Sequence, residues 1–312
     1  MSKQFSCYWS VLFLLLFILR VPIAHSHNNV VVIPLLKEKR IEPFAPVPID
    51  REIPDSVYIN GLITITDTVT GLEWQRVDDN TPRTYNDAYS YCINLGNANF
   101  GGHRDWRLPS IWELQSLVDY RQAYPAINTN AFPNTDQVEY WSSTIDERSA
   151  AYAYAVNFED GAINDSVTKS HLYLTRCVRA GVPYDSNGPY IINESGTVTD
   201  LSTGLEWQRE VENQIRTYSQ AQFFCAQLPL SGGGWRLPNV KELSSIFDYR
   251  LDEPMFDSIA FPLSGPLASG IKTFWSETSY YIDGSNAWRI GFSWGSVSPA
   301  GRSVEYYVRC VR

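Results

Sequence analysis

An internal repeat constrains the fold of this 312-residue chain more than any other sequence feature. Six short motifs occur twice in the same order, and in the first copy they begin at residues 70, 83, 106, 119, 141 and 176. The first motif, Thr-Gly-Leu-Glu-Trp-Gln-Arg at 70–76, recurs at 203–209, an offset of 133 residues. The offset is the same at the last motif and differs by only a few residues in between, so differences in length are confined to loops. The sequence therefore predicts two tandem copies of one domain, at 57–181 and 184–312, with a short joint between them.

Both copies have the same pattern of secondary structure. Apolar residues at helical spacing predict a first helix at 85–95. Ser110 followed by Glu113 has the form of a capping box that opens a second helix, and Asn239 followed by Glu242 repeats it. The rest of each copy has the pattern of short strands, which in the first copy are expected at 141–144, 152–158 and 172–179. The predicted class is α+β, with two helices against a small antiparallel sheet in each domain.

The N-terminus has the features of an export signal. Lys3 precedes an apolar run from Val11 to Leu19, and Ala24 and Ser26 place small residues at the positions that a signal peptidase requires. We predict a signal peptide at 1–26, the alternative being an uncleaved anchor, and no transmembrane segment after cleavage. Residues 27–56 contain five prolines and are predicted to form an extended tether.

The charge of the chain limits its partners. Loss of residues 1–26 removes two basic residues and no acidic one, which lowers the net charge from −9 to −11. A protein this acidic repels phosphate backbones, so nucleic acid is not expected as a partner.

Four cysteines follow the signal segment, and their spacing is the same in the two copies. Cys92 and Cys177 are 85 residues apart, as are Cys225 and Cys310. In an exported protein this pattern predicts one disulfide per domain. A metal or redox pair is the alternative, but the chain has no Cys-x-x-Cys motif and its four histidines are scattered.

The motifs resemble a known family. Gly-Leu-Glu-Trp-Gln at 71–75, Trp-Arg-Leu-Pro at 106–109, Trp-Ser-Ser at 141–143 and Arg-Cys-Val-Arg at 176–179 are similar to those of the Lcl C-terminal domain, found at the end of a bacterial collagen-like adhesin. The resemblance implies a C-type-lectin-like fold and a periplasmic, outer-surface or extracellular location in a bacterium. The adhesin member binds sulfated glycosaminoglycans. Because the Glu-Pro-Asn and Trp-Asn-Asp motifs of calcium-dependent lectins do not occur here, we expect no metal and no cofactor.

The tryptophans divide into matched and unmatched positions. The matched ones are predicted to be core residues, and they are Trp74, Trp106, Trp141, Trp207, Trp235 and Trp275. Trp294 precedes Gly295 at a predicted hairpin turn where the first copy has Asp160, so it is either an exposed ligand-binding residue or folded back onto its domain. Trp288 is the second candidate ligand-binding residue, although its alternation along the strand also suits packing.

The remaining charged residues suggest structural roles. Arg107 and Arg236 are expected to form ion pairs with Glu113 and Glu242. The loop at 146–148, Asp-Glu-Arg, is expected to be solvated, which leaves the better binding surface to the second copy.

No catalytic arrangement of residues emerges, so the chain is not expected to be an enzyme. We predict a non-enzymatic recognition or adhesion protein that binds glycans or envelope or host surface partners without calcium. The alternative is a structural envelope protein that scaffolds a complex.

Overall fold

The computed structural model describes the backbone of residues 31–32 and residues 58–180, 190–253, 255–265, 267, 270 and 272–312. The predicted signal peptide, the joint at 182–183 and the tether apart from Val31–Val32 lie outside the described residues. Val31–Val32 form strand β1, which pairs antiparallel with the first strand of the second repeat. In the described ranges, every helix falls short of the length or apolar character that a membrane crossing needs.

The two repeats contain the same elements in the same order. The first consists of β2 (Tyr58–Asn60), β3 (Thr64–Asp67), β4 (Glu73–Gln75), α1 (Tyr85–Asn97), α2 (Ile111–Ser116), β5 (Glu139–Ile145), β6 (Tyr152–Asn157), β7 (Ile163–Thr168) and β8 (Val178–Arg179). The second consists of β9 (Tyr190–Ile192), β10 (Thr197–Asp200), β11 (Glu206–Gln208), α3 (Tyr218–Gln227), α4 (Val240–Ser244), β12 (Thr273–Ser279), β13 (Asn286–Gly291) and β14 (Ser296–Gly301). It closes with isolated bridges from Val311 instead of a final strand.

The helix starts follow the sequence signals. The Ser110 hydroxyl accepts a hydrogen bond from the backbone N–H of Glu113 at 3.3 Å, and the Glu113 carboxylate accepts one from the backbone N–H of Ser110 at 2.8 Å. Asn239 and Glu242 form the same capping box at α4. Both predicted ion pairs are confirmed: each capping glutamate also receives two hydrogen bonds from an arginine, Arg107 in the first repeat and Arg236 in the second.

The sheets are larger than predicted. Each repeat has its own four-stranded sheet, ordered β2-β3-β4-β8 in the first and, with β1 at its edge, β1-β9-β10-β11 in the second. A third sheet has six strands in the order β12-β13-β14-β7-β6-β5, so it runs through both repeats. The expected small sheet in each domain is therefore corrected to one large sheet that the two domains share, together with the two four-stranded sheets.

The repeats meet at equivalent residues. Strands β7 and β14 pair antiparallel through Ile163 and Val297, each of which follows the turn glycine of its own repeat by two residues. Gln115 and Ser244, each two residues after its capping glutamate, hydrogen-bond to each other at 3.1 Å. Equivalent residues of the two repeats contact each other, as they do across a two-fold axis. The repeats therefore pack as the two subunits of a symmetric dimer do.

Aromatic side chains fill the junction. Trp112 of the first repeat packs edge-to-face on Tyr249 of the second with ring centroids 4.8 Å apart, and Tyr154 packs on the other side of Tyr249 at 4.7 Å. Tyr120 packs on Trp288 at 4.9 Å. All belong to one continuous buried cluster that includes residues from both repeats. Edge-to-face pairs add about 0.5–1.5 kcal/mol each beyond the burial of their area, so these contacts stabilise the junction.

Lys241 places an ionisable side chain at this junction. It occupies the place of Trp112, since each directly precedes its capping glutamate, and its ammonium donates to the carbonyl of Ser116 in the other repeat at 3.2 Å. Burial lowers the pKa of Lys241 to about 8, although Asp119 and Asp67 oppose the shift.

We expect the Lys241→Met variant to be more stable than the natural protein at pH 7, by on the order of 2 kcal/mol. The pKa of this lysine is lower in the folded than in the unfolded chain, so the folded state loses its proton first as pH rises. The free energy of unfolding of the natural protein should therefore rise between about pH 8 and 10.5, and that rise should be missing in the variant. Urea unfolding at pH 7 and pH 10 measures both effects, and parallel pH profiles for the two proteins would contradict them.

Both predicted disulfides are confirmed. Cys92 is joined to Cys177, and Cys225 to Cys310. Each connects the first helix of its repeat to the residue that follows the buried arginine near the C-terminal end of that repeat. Each cystine lies in a small satellite core of its own repeat, away from the junction.

Candidate binding surface at the junction of the repeats

Trp294 lies at the tip of the β13–β14 hairpin, and 47% of its surface is exposed. The turn is closed by a hydrogen bond of 2.8 Å from the backbone N–H of Gly295 to the carbonyl of Gly291. Gly295 has a φ of +76°, and a Cβ there would come within 3.0 Å of the rings of Tyr249 and Tyr154. Glycine is therefore required after the tryptophan, and the turn is pressed against both repeats. Trp294 is therefore partly exposed at the turn, and its role as a ligand-binding residue stays a prediction.

The equivalent turn of the first repeat is already occupied. Asp160, in the place of Trp294, accepts a hydrogen bond from the Tyr280 hydroxyl of the second repeat at 3.0 Å. Burial raises the pKa of that hydroxyl, and the neighbouring carboxylate of Asp160 raises it further. Asp160 therefore makes a contact between the two repeats, and the two turns differ in structure.

Polar groups of the second repeat surround the base of the Trp294 turn. Ser293 donates a hydrogen bond to Glu253 at 3.1 Å, and the ammonium of Lys272 donates to the same carboxylate oxygen at 2.6 Å. The bond from Lys272 holds the pKa of Glu253 below its usual range, with a smaller contribution from Arg148. The Lys272 side chain is buried, whereas 47% of that of Glu253 is exposed. The ionised carboxylate of Glu253 is thus exposed to solvent near Trp294, because it is hydrogen-bonded to Ser293, the residue that precedes Trp294.

The charged loop of the first repeat is solvated only in part: Glu147 and Arg148 are exposed as expected, but Asp146 is not. Asp146 is buried, and its carboxylate receives two hydrogen bonds from the guanidinium of Arg148, at 2.8 and 2.6 Å. These bonds hold the pKa of Asp146 below its usual value against the effect of burial. The loop is therefore an ordered structure with Arg148 fixed in position.

Trp288, the second predicted ligand-binding residue, is buried at 1% exposure. Its ring lies between Tyr120 of the first repeat and Tyr280 of its own. This corrects the prediction: the alternation along β13 turns Trp288 into the junction core, where a ligand has no access to it. The matched tryptophans are buried as predicted.

Residues without a recognisable sequence signal support and border this surface. Tyr154, on β6 of the first repeat, donates a hydrogen bond from its hydroxyl to the carbonyl of Trp294 at 3.1 Å. Arg148 and Glu253 were not recognised as parts of a site because a charge in a loop gives no signal of what it faces. In the described part of the chain, no group of three or more His, Cys, Asp or Glu side chains is arranged to hold a metal ion.

A family model for the Lcl C-terminal domain matches the chain twice, at residues 63–179 and 196–312. The two matches together cover more than half of the chain, and each coincides with one of the structural repeats. A comparison with curated proteins returned no match.

Proposed function

The chain belongs to the Lcl C-terminal domain family, and we propose that it is an exported recognition protein that binds glycans or surface partners without calcium. The observation that carries the proposal is the exposed indole of Trp294 on a turn that both repeats hold in place. A rigid, exposed tryptophan offers a flat apolar face on which a sugar ring or a partner side chain stacks at little entropic cost. Family membership supports an adhesin-like role.

The proposal includes the compartment and the finer fold. Cystines persist in oxidising compartments, which supports a location in the periplasm, on the outer surface or outside a bacterium. A long cystine loop from the first helix to the end of the domain, over an antiparallel sheet, supports a C-type-lectin-like fold for each repeat. We propose no catalytic activity, because the described residues support binding and the sequence has no recognisable nucleophile and base pair.

A glycan panel screened in EDTA buffer tests recognition directly. Selective binding to one class of saccharide would support the proposal. Failure to bind any saccharide, together with purification of one stoichiometric protein partner from an envelope fraction, would favour the alternative scaffold role.

We expect the Trp294→Ala variant to bind the saccharide at least about tenfold more weakly, because truncating an exposed aromatic anchor typically costs 1 kcal/mol or more. Its melting temperature should stay close to that of the natural protein, since the removed atoms are half exposed. Calorimetric titration and a thermal melt measure the two quantities. Normal binding, or a large loss of stability, would show that Trp294 acts in packing instead.

Chelation is expected to leave the protein intact. The junction is held by aromatic packing and each repeat by a cystine, neither of which needs an ion. Addition of EDTA should therefore change the melting temperature by no more than a degree or two, whereas a fall on the order of ten degrees would reveal a stabilising cation.

A further inference from the structure

We propose that the binding site is composite: Trp294 of the second repeat and Asp165 and Arg148 of the first together bind one unsulfated oligosaccharide per chain. The inference rests on the proposed function, and it adds the location of the site, the class of ligand and the stoichiometry. Neither repeat alone provides both the aromatic platform and these polar partners.

The shared sheet brings the two halves together. Strands β7 and β14 pair antiparallel through Ile163 and Val297, and Tyr154, which stands opposite the part of β7 that carries Asp165, contacts Gly295 next to Trp294. The hydrogen bond from Tyr154 to the Trp294 carbonyl fixes this approach. The hairpin tip of the second repeat thus lies against the part of the first repeat that carries Asp165.

A β-bulge turns Asp165 and Ser166 out of the ladder. Ala153 pairs with Val167 and Ala155 with Asn164, so two residues of β7 stand opposite the single residue Tyr154. Ser166 has a φ of +53°, which is uncommon for a non-glycine residue. The corresponding strands of the second repeat, β13 and β14, pair without interruption. Bulges of this kind commonly redirect side chains at functional sites, and this one occurs only in the repeat that faces Trp294.

The polar groups at this bulge form an ordered network. The guanidinium of Arg148 donates a hydrogen bond of 2.9 Å to the hydroxyl of Ser166 and one of 3.4 Å to the carboxylate of Asp165. The buried carboxylate of Asp146 accepts a further bond and holds the guanidinium in place. About a quarter of the side-chain surface of both Arg148 and Asp165 remains exposed. Fixed donors and acceptors beside an aromatic face are what a pyranose requires, since its ring face stacks while its hydroxyl groups form hydrogen bonds.

The local charge selects the class of saccharide. Asp165, Glu253 and the buried Asp146 outnumber Arg148 and the buried Lys272, so the surface around Trp294 carries a net negative charge. Both exposed carboxylates repel sulfate groups. An unsulfated oligosaccharide of hexose or N-acetylhexosamine is therefore favoured over a sulfated one.

Among the described residues this combination of groups occurs once. At the position related by the two-fold axis, Asp160 replaces Trp294 and is bonded to Tyr280, while Pro299 stands where Asp165 stands in the first repeat. The described residues at that end of the junction thus lack both the indole and the second carboxylate, and the expected stoichiometry is one oligosaccharide per chain.

Titration of the full chain with three tetrasaccharides tests the proposal: cellotetraose, chitotetraose and a heparin-derived tetrasaccharide. We expect an unsulfated probe to bind with a stoichiometry of one and the sulfated probe to bind at least about tenfold more weakly. Asp165→Asn, in the other repeat from the indole, should weaken binding at least about fivefold, and its effect should not be additive with that of Trp294→Ala. Phe223→Ala removes a more exposed aromatic ring from α3 and serves as the control that leaves binding unchanged.

The outcomes separate the composite site from the proposed function. If an unsulfated probe binds and depends on Trp294 but not on Asp165, recognition stands and the composite site is wrong. A stoichiometry of two, or preferential binding of the heparin fragment, also overturns the composite site. If no saccharide binds but a surface protein is captured through Trp294, recognition of surface partners stands and the composite saccharide site is wrong. If no saccharide and no surface protein depends on Trp294, both proposals fail. A melting curve of Asp165→Asn that matches the natural protein ensures that a loss of binding reflects the site and not the fold.

Discussion

The Asp78→Ala variant is expected to lose about 3–5 kcal/mol of its free energy of unfolding, because it leaves a buried arginine without its counter-charge. Arg176 is fully buried, and its guanidinium donates to the Asp78 carboxylate at 2.8 Å. Asp78 also accepts a hydrogen bond of 3.0 Å from the Tyr140 hydroxyl. Removing the carboxylate therefore strands two buried donors at once, one of them charged.

The second repeat provides a matched comparison within the same molecule. Val211 stands in the place of Asp78, and Phe274 in the place of Tyr140, so the carboxylate and the hydroxyl that binds it are absent together. The equivalent arginine, Arg309, still donates to the carbonyls of Gln208 and Arg209, both at 2.7 Å, and lies 4.8 Å from the ring centre of Phe261. Its Nη2 has no hydrogen-bond partner among the described residues, and burial lowers the pKa of Arg309 to about 9.

Val211→Asp is the reciprocal variant. Supplying the missing carboxylate next to Arg309 should raise the free energy of unfolding or leave it unchanged. In the first repeat, by contrast, removal of the equivalent carboxylate is expected to lower the free energy of unfolding strongly. Urea unfolding at pH 7 measures both variants under one condition. Equal, small effects of Asp78→Ala and Val211→Asp would mean that the carbonyls and rings alone hold both arginines.

Local signals in the sequence predicted the elements that depend on nearest neighbours. The pairs Ser110 with Glu113 and Asn239 with Glu242 marked both second helices, because a capping box involves residues only three apart. The disulfides followed from the identical spacing of the cysteines and from the export signal. Both kinds of prediction use information that lies within one repeat.

The shared sheet could not be predicted from the same signals. Strand β7 has the sequence Ile-Asn-Asp-Ser-Val-Thr, in which the bulge breaks the alternation of apolar and polar residues that marks a strand. Its pairing with β14 joins residues more than a hundred positions apart, and no pattern within one repeat specifies that contact. Of the strand predicted at 172–179, Val178–Arg179 form β8, whereas Tyr173 and Leu174 form single bridges to different elements instead of a ladder.

The candidate site was predictable in part for the same reason. Comparison of the repeats placed Trp294 at an exposed turn, because an aromatic residue that replaces a turn aspartate is not required by the common fold. Arg148 and Asp165 belong to the other repeat, and their relation to Trp294 exists only through the junction. A sequence-based search for a site within one domain therefore finds only half of it.

Removal of the cystine between Cys225 and Cys310 is expected to destabilise both repeats together. The chain-entropy model assigns about 4–5 kcal/mol to a cross-link that closes a loop of this length. Because Trp112, Tyr154 and Tyr249 lie in one core that both repeats build, the variant Cys225→Ala/Cys310→Ala should unfold in a single transition at lower temperature, with no intact first repeat left behind.

The other cystine supplies the control for this prediction. Cys92 and Cys177 close a loop with the same separation of 85 residues, so their double alanine variant should lose a similar free energy if the effect arises in the unfolded chain. Differential scanning calorimetry of the three proteins distinguishes the cases. Two separate transitions in either variant, one of them at the temperature of the natural protein, would show that the junction does not couple the repeats. A composite binding site would then have to form between two independently folding domains, and the loss of either cystine would disturb only one half of it.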